Sequence, residues 1–451
     1  MGEMTETTRA PDALLNQLID SCLKAGATDV DASYGRSEGV SIEVREGQLE
    51  GIERSESQGV SLRCLFGQRQ ASVSGSDISD AGLTALAERC VAMAKVVPED
   101  PFCGLAPSQD LVTDMPELDL SGDAEIATET LETDALAAEA RALSLPGVQQ
   151  VSSCGNGWSR SERWVAASNG FSSYRKSGST GLGLAVIAER DGVMERDYES
   201  RSVRRLADRP SAEEIGLIAA ERAVRRLGSR KVATQTGTVI FDRRVAGSLI
   251  GAFLSAISGP SIARGVSFLK DQLGQTVFAP DVNLIDDPLR IRGMGSRAHD
   301  GEGRAVERTH LIENGVLTRW LLNGASARQL GLEPNGQASS GFGSPPGVGV
   351  SNAYITAGQD SPAKMMHDVQ SGLLVTDMFG PSINPNTGDY SVGVAGFWFE
   401  QGEIAHPVSE VTIAGDLPGM FARLRPASDL ELRGTRDAPS LLIEEMSIAG
   451  E

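Results

Sequence analysis

One stretch in the second half of the chain decides how its fold is interpreted. It reads Gly247-Ser248-Leu249-Ile250-Gly251-Ala252-Phe253-Leu254-Ser255-Ala256-Ile257-Ser258-Gly259. It follows the strand-like segment Thr238-Val239-Ile240-Phe241, and Asp242 begins the approach to it. Small residues recur every four positions in the stretch, which would place them along one side of a helix. We therefore predict a helix that carries a stripe of small residues.

The stripe consists of Gly247, Gly251, Ser255 and Gly259. Without bulky side chains, it lets another backbone approach the helix closely. Gly251 costs about 1 kcal/mol relative to Ala in a helix interior, so a packing or functional reason is expected. One interpretation is tight packing inside the subunit. The other is that this face contacts a partner or a peptide.

Residues 11–120 predict an N-terminal α+β domain. A helix is expected over 11–26, where apolar residues fall at helical spacing, and a second helix near 77–96. Strand and turn signals lie between them at 41–45, Glu46-Gly47, 59–64 and Phe66-Gly67. We expect a layer of helices on an antiparallel sheet.

The rest of the chain predicts a middle α/β region over 121–230 and a Gly-rich, mainly β C-terminal domain over 231–451. Asn314-Gly315 and Gln401-Gly402 each separate two apolar segments, the pattern of a two-residue hairpin. Gly178-Ser179-Thr180-Gly181 is interpreted as a flexible strand edge or a loop. With a polar N-terminus at 1–10 that we predict to be disordered, the fold class is α+β.

The length and the net charge of the chain indicate how many domains to expect and which ligands are disfavoured. A chain of 451 residues is expected to form two or three domains. Its formal charge is 41 − 61 = −20, which disfavours nucleic-acid binding. A small basic cluster interleaved with acidic residues is interpreted as a solvated face. It contains Arg201, Arg204, Arg205 and Arg209.

The five cysteines show no CxxC spacing, which fits a reducing cytoplasm better than a disulfide framework. The start of the chain lacks the basic and apolar regions of a signal peptide. No apolar run approaches the ~20 residues that would span a bilayer. We expect a cytoplasmic protein with neither nucleic acid nor membrane as a partner.

The sequence disfavours both a histidine-based metal site and a serine nucleophile. No two of the four histidines are spaced i, i+4, so no helix presents a histidine pair to a metal. The segment His299-Asp300-Gly301-Glu302 could hold a cation, but a turn whose carboxylates cap backbone amides is the favoured interpretation. Serine catalysis is disfavoured because no Gly-x-Ser-x-Gly elbow occurs at a clear strand-to-helix junction.

Several segments together resemble the TldD/PmbA family of metallopeptidases, also called modulators of DNA gyrase. The resemblance covers nearly the whole chain and is densest over 237–450. The segments that carry it are Phe268-Leu269-Lys270-Asp271-Gln272-Leu273-Gly274, Ile285-Asp286-Asp287-Pro288, His299-Asp300-Gly301-Glu302-Gly303, Leu311-Ile312-Glu313-Asn314-Gly315-Val316-Leu317, Asn384-Pro385-Asn386-Thr387-Gly388-Asp389-Tyr390-Ser391, Gly396-Phe397-Trp398-Phe399-Glu400-Gln401-Gly402-Glu403-Ile404 and Pro407-Val408-Ser409-Glu410-Val411-Thr412-Ile413-Ala414-Gly415.

The resemblance implies that the opening stretch corresponds to the zinc-protease helix, which carries His-Glu-x-x-x-His in the family's catalytic branch. Here Ile250 stands at the first histidine position, Gly251 at the glutamate position and Ser255 at the second histidine position. The late cysteine ligand of that branch has no counterpart between Leu430 and Glu451. The chain is thus similar to the PmbA/TldE branch, whose members are non-catalytic subunits paired with a TldD subunit that holds the zinc.

For this chain the resemblance implies no cofactor of its own, a TldD-like partner and unfolded peptides as substrates. Two alternatives remain: a peptide-binding adaptor or homodimer without a protease role, and an independent metallopeptidase with unrecognised ligands. The strand-like segment around Val350, Asn352 and Tyr354 could pair with an extended peptide if its edge is free.

Overall fold

The computed structural model describes residues 10–123 and 125–450. The predicted disordered segment 1–10 lies outside the described residues except for Ala10, which precedes the first helix. The five cysteines are unpaired thiols, and all but Cys103 are buried. Of the helices in the described ranges, none is long and apolar enough to span a membrane.

The first 225 residues build two consecutive helix–three strands–helix units. The first contains α1 (Pro11–Lys24), β1 (Asp29–Arg45), β2 (Gln48–Phe66), β3 (Arg69–Gly75) and α2 (Asp80–Val96). The second contains α3 (Thr128–Leu143), β4 (Val148–Ala167), β5 (Ser172–Arg190), β6 (Val193–Val203) and α4 (Ala212–Arg225). Their identical element order is a structural repeat.

One antiparallel sheet joins the two units, with strand order β3-β2-β1-β4-β5-β6. Val30, Ala32 and Tyr34 of β1 lie in the core under α1 and α2, whereas Val40 and Val44 lie in the core under α3 and α4. Because alternate residues of a strand share a face, both helix pairs cover the same side of the sheet. The sheet therefore contains strands from both sides of the domain boundary predicted at residue 120. Its side without helices faces the C-terminal region.

Turn chemistry sets the strand register in this sheet. Glu46 and Gly47 both have positive φ, 53° and 74°, between β1 and β2. Two consecutive positive φ angles match the right-handed twist of paired strands. Glu139, from α3, accepts hydrogen bonds from both turn amides at 2.9 and 2.8 Å. The hairpin tip is thereby fixed to the second unit.

The C-terminal region is mainly β, as predicted. Its helices are α5 (Arg243–Ala256), α6 (Gly259–Ala263), α7 (Gly324–Leu330), α8 (Pro362–Val369) and α9 (Leu417–Arg423). Its strands are β7 (Gln235–Phe241), β8 (Leu284–Asp286), β9 (Thr309–Glu313), β10 (Val316–Leu317), β11 (Ala338–Ser339), β12 (Gly347–Val348), β13 (Ala353–Ile355), β14 (Ser371–Ile383), β15 (Asp389–Glu400), β16 (Glu403–Asp416), β17 (Arg425–Pro426), β18 (Arg436–Asp437) and β19 (Leu441–Ala449).

These strands form a barrel and a smaller sheet. The order β16-β15-β14-β7-β19 closes because β16 also pairs with β19, and a second sheet has the order β10-β9-β8-β13-β18. Phe241, Phe253 and Phe421 are fully buried in the core between them. Both predicted hairpins are confirmed: Asn314-Gly315 joins β9 to β10, and Gln401-Gly402 joins β15 to β16, with positive φ at all four residues.

Two local predictions are wrong. Gly178–Gly181 is not a loop: it lies inside β5 and pairs with β4 throughout, while only Thr180 and Gly181 also pair with β6. Here glycines serve close approach, since a Cβ at Gly178 would lie 2.4 Å from the Ser121 carbonyl oxygen. The strand predicted over 348–355 is broken into β12 and β13, which belong to different sheets.

Candidate functional site

The stripe of small residues is divided between two helices. Asp242 begins α5 by accepting a hydrogen bond from the Arg244 amide at 2.9 Å. The helix ends at Ala256, and the Gly259 amide donates to the Leu321 carbonyl at 2.8 Å. Because its amide donates to Leu321, Gly259 does not continue the hydrogen bonding of α5, and a second helix, α6, begins at Gly259. The single helix expected over 247–259 is therefore wrong.

The three positions implied by the resemblance do not converge. Ile250 is 1% exposed and lies in the C-terminal core. Gly251 is half-buried on another side of α5. Ser255 is exposed, and its hydroxyl donates to the Gly251 carbonyl at 3.0 Å. Backbone hydrogen bonding thus uses the one polar side chain of the three.

Arg436 covers the stripe on α5. A Cβ at Gly247 would lie 2.6 Å from the Arg436 carbonyl oxygen, and one at Gly251 would lie 3.2 Å from an Arg436 guanidinium nitrogen. Gly259 is likewise covered from within the chain, since its Cβ would lie 2.6 Å from the Leu321 carbonyl oxygen. The glycines serve close packing inside the subunit, while Ser255 stays exposed.

Zinc does not fit the residues on this face. Zinc ligands are imidazoles, thiolates and carboxylates, and Ile250, Gly251 and Ser255 supply none of them. A guanidinium beside Gly251 adds a fixed positive charge where a cation would sit. In the described ranges as a whole, no group of three histidine, cysteine or acidic residues is arranged to hold a metal ion.

An arginine-rich cleft of about 700 Å³ opens beside α5. Nine arginines and four carboxylates line it. Several pairs form ion bridges across it: Arg244 meets Asp197 at 2.6 Å and Arg243 meets Glu431 at 3.0 Å. The cleft still carries an excess of positive charge on a chain of net charge −20. Such a surface attracts acidic groups of a ligand or partner.

The basic cluster predicted as a solvated face is instead part of an interface. Arg204 donates to the Met294 carbonyl at 2.8 Å, and the side chain of Arg209 is 4% exposed and paired with Asp134. Arg205 is paired with Asp119. The prediction was wrong because contacts with distant segments cover these side chains: Arg204 contacts the C-terminal region, and Arg209 contacts Asp134 of α3. Local charge alternation does not reveal such contacts.

The residues proposed for peptide pairing lie in occupied positions. Val350 is half-buried against the C-terminal core. Asn352 is 1% exposed, and its amide donates to the Asp287 carbonyl at 2.6 Å, so it cannot contact a peptide directly. Tyr354 lies in β13, and its hydroxyl accepts a hydrogen bond from Arg308 at 3.1 Å. Because β13 is flanked by β8 and β18, its edge is not free for β-augmentation.

The predicted turn at His299-Asp300-Gly301-Glu302 is confirmed. Asp300 accepts hydrogen bonds from the amides of Glu302 and Arg304 at 2.8 and 2.9 Å, and Glu302 accepts one from the Gly324 amide at 2.9 Å. Burial raises the pKa of both carboxyl groups and lowers the pKa of His299. All three groups are thereby shifted towards their neutral forms.

Sequence reasoning missed Arg436 and the cleft. The segment Arg433-Gly434-Thr435-Arg436 lies about 180 residues after α5, and no local pattern ties the two together. Strand β18 places Arg436 on the helix by pairing in parallel with β13. The density of arginine in 201–209 and 433–436 was the available signal, but it does not report which segments meet.

Comparison with known proteins gives matches along the three regions of the chain. Family models of the PmbA/TldA metallopeptidases match residues 30–94 as domain 1, 116–227 as the central domain and 234–450 as the C-terminal domain. The metalloprotease PmbA of Escherichia coli O157:H7 is 33% identical, covering 97% of this chain and 96% of its own. The PmbA homolog of Haemophilus influenzae is 31% identical, covering 96% and 94%.

Solved structures show the same fold. A proposed modulator of DNA gyrase from Bacteroides thetaiotaomicron superposes with a TM-score of 0.90 at 24% identity, covering 98% of this chain and 99% of that one. TldE from Thermococcus kodakarensis superposes with a TM-score of 0.85 at 20% identity, covering 97% and 100%. At these identities the likeness concerns the fold alone.

Proposed function

This chain belongs to the PmbA/TldA metallopeptidase family, and we propose that it is the non-catalytic PmbA/TldE-type subunit of a two-subunit zinc metalloprotease. The zinc, its ligands and the general base would reside on a TldD-like partner. The pair would process unfolded or extended peptides. We also propose a cytoplasmic location, in keeping with five cysteines that are unpaired thiols.

The observation that carries the proposal is the state of the α5 face. A zinc hydrolase needs ligands that hold the metal and a carboxylate that takes a proton from its water. On α5 one corresponding side chain is buried in the core, one is absent, and one is a serine bonded to its own helix. Arg436 lies over the glycines instead.

The exposed end of this face gives the subunit a surface for its partner. Ser255 and Arg436 are exposed, and Arg436 lines the arginine-rich cleft. We assign this surface to contact with acidic groups of the partner or of a peptide held between the two subunits. Such contacts would stabilise the partner and position the peptide without any chemistry on this chain.

Cleavage of an unstructured peptide tests the proposal. The purified chain, a TldD-like partner from the same genome, and their mixture are assayed with and without a chelator, and zinc is measured by mass spectrometry. We expect cleavage only in samples that contain the partner, higher activity in the mixture, loss with the chelator, and far less than one zinc per chain in this subunit alone.

Two matched charge reversals locate the contact. Arg436→Glu alters the surface beside α5, whereas Arg45→Glu alters the β1–β2 hairpin, where Arg45 is equally exposed and has Glu50 as its neighbour at 3.4 Å. We expect only Arg436→Glu to weaken activation of the partner. Cleavage by the lone chain would identify an independent hydrolase. A stable homodimer that ignores the partner would identify an adaptor.

A further inference from the structure

A second cavity, of about 450 Å³, lies on the side of the N-terminal sheet that the helices leave uncovered. Odd-numbered residues of β1 and β4, including Asp31, Ser33, Arg163 and Val165, form one wall. The turn at 297–302 and the segment 340–346 of the C-terminal region form the other. The cavity is thus enclosed between the two largest parts of the molecule.

Two arginines face each other across the sheet wall. Arg163 of β4 and Arg175 of β5 are direct register partners. Like charges directly opposite on neighbouring strands are destabilising. Burial lowers the pKa of Arg163, Arg297 and His299, and the charge of Arg175 lowers all three further. The cavity therefore concentrates positive charge around Arg175.

Arg175 is the member of this group with free hydrogen-bonding capacity. Arg163 donates to the Ser340 hydroxyl at 3.1 Å and the Gly341 carbonyl at 3.2 Å, and Arg297 donates to the Ala338 carbonyl at 2.6 Å. Arg175 lines the cavity and is exposed to solvent. Within residues 10–123 and 125–450, no carboxylate offsets the lowering of its pKa by burial.

Each of the four carboxyl groups that line the cavity already has a partner other than Arg175. Glu117 accepts a hydrogen bond from the Asp119 amide at 3.1 Å. Asp31 is paired with Arg63 at 2.5 Å. Asp300 and Glu302 accept hydrogen bonds from backbone amides, and burial raises the pKa of both. Arg175 is exposed at the cavity and has no ion pair among the described residues, so a bound anion would supply the missing counter-charge.

The remaining lining is mixed. Its polar side chains include Ser121, Asn169 and Lys176, and its apolar part consists mainly of Leu118, Leu120, Val165, Phe171 and Pro346. A volume near 450 Å³ falls in the range of cavities that enclose small ligands, which are mostly apolar with a few placed polar groups. A planar guanidinium fork matches a carboxylate through two parallel hydrogen bonds.

We propose that this cavity binds a small ligand with one carboxylate and an apolar body, and that Arg175 receives the carboxylate. The C-terminal end of a short peptide and a free medium-chain carboxylic acid share this chemistry. The site lies within this chain alone, so it goes beyond the proposed function and does not depend on it.

Calorimetric titration of the full chain tests the site with four probes: a tripeptide Ala-Leu-Phe with a free carboxylate, the same tripeptide with an amidated C-terminus, octanoate, and inorganic phosphate. Variants Arg175→Met and Arg175→Lys are compared with Arg190→Met. Arg190 is a matched control because it is an exposed arginine at the far end of the same strand.

We expect a carboxylate probe to bind and the amidated tripeptide to bind at least about tenfold more weakly. Arg175→Met should weaken binding by a similar factor and Arg175→Lys by less, because lysine keeps the charge but loses the fork. Binding of the tripeptide alone identifies a peptide terminus, and binding of octanoate alone identifies a free acid. Arg190→Met should leave affinity unchanged.

Thermal melting without ligand gives an independent readout. Arg175→Met should raise the melting temperature, because it removes the repulsion from Arg163, whereas a purely structural arginine would lower it when lost. The proposal is overturned if neither carboxylate binds at millimolar concentration, if phosphate alone binds, or if Arg175→Met lowers the melting temperature and leaves affinity unchanged.

Discussion

Two alanine substitutions on α5 should have opposite effects on the free energy of unfolding. Alanine stabilises a helix interior by about 1 kcal/mol relative to glycine. At Gly251 the added Cβ would lie 3.2 Å from a guanidinium nitrogen of Arg436, an exposed side chain that can move. At Gly247 it would lie 2.6 Å from the Arg436 carbonyl oxygen, which belongs to strand β18.

The size of each change in the free energy of unfolding depends on which atoms must move to make room for the added Cβ. At Gly251 the side chain gives way, so we expect a stabilisation approaching ~1 kcal/mol. At Gly247 the strand must shift, and overpacking of this kind costs about 1–3 kcal/mol. The propensity gain offsets part of that cost, which leaves a net destabilisation of about 1 kcal/mol. The two variants should therefore differ by roughly 2 kcal/mol.

Urea unfolding followed by tryptophan fluorescence measures this difference, and hydrogen exchange of peptides that cover α5 assigns it to the helix. Combining each substitution with Arg436→Ala separates the two contacts, since the alanine removes the guanidinium but keeps the carbonyl. The Gly247→Ala penalty should persist in that background. The reasoning is refuted if Gly251→Ala destabilises as much as Gly247→Ala, or if Arg436→Ala abolishes the Gly247→Ala penalty.

Three further substitutions test other parts of the structure by urea unfolding. Glu139→Gln should destabilise by about 1.5–3 kcal/mol, because a buried carboxylate that accepts two turn amides at 2.9 and 2.8 Å is replaced by a neutral amide; an unchanged midpoint would contradict this role. Gly216→Ala should destabilise by about 2 kcal/mol, because its Cβ would lie 2.2 Å from the Ala138 carbonyl oxygen. A gain in stability would show that α3 and α4 are not in contact at this position. Burial raises the folded-state pKa of Asp300, so stability that is fully present below the unfolded pKa is lost as pH rises through the folded one. Asp300→Asn should flatten the fall in stability as pH rises above the unfolded pKa of about 3.9. An unaltered slope would contradict this.

Local features of the chain were predicted well where one segment decides its own conformation. The predicted helices at 11–26 and 77–96 are observed at Pro11–Lys24 and Asp80–Val96. Asn314-Gly315 and Gln401-Gly402 form hairpins because both residues of each pair adopt positive φ without help from the rest of the fold. Turn chemistry and apolar spacing are properties of neighbours in sequence.

Predictions that depended on distant neighbours were less reliable. The arginines at 201–209 were interpreted as solvated, because the contacts of Arg204 with the C-terminal region and of Arg209 with Asp134 cannot be inferred from their own spacing. Asn352 was proposed as a contact residue, but it is buried under strands supplied by distant segments. Gly178–Gly181 was interpreted as an edge because glycine favours loops, whereas close approach by Ser121 explains it in β5.

The sequence by itself determined the α+β class, the family and the absence of zinc-ligand side chains at Ile250, Gly251 and Ser255. Those conclusions depend on which side chains are present and on their order, and a missing imidazole is missing in any fold. Only the tertiary structure decided that Arg436 covers the glycines of α5 and that Arg163 and Arg175 meet in a cavity. Strand pairing and the packing of the two halves bring these groups together, and both depend on segments that are far apart in sequence.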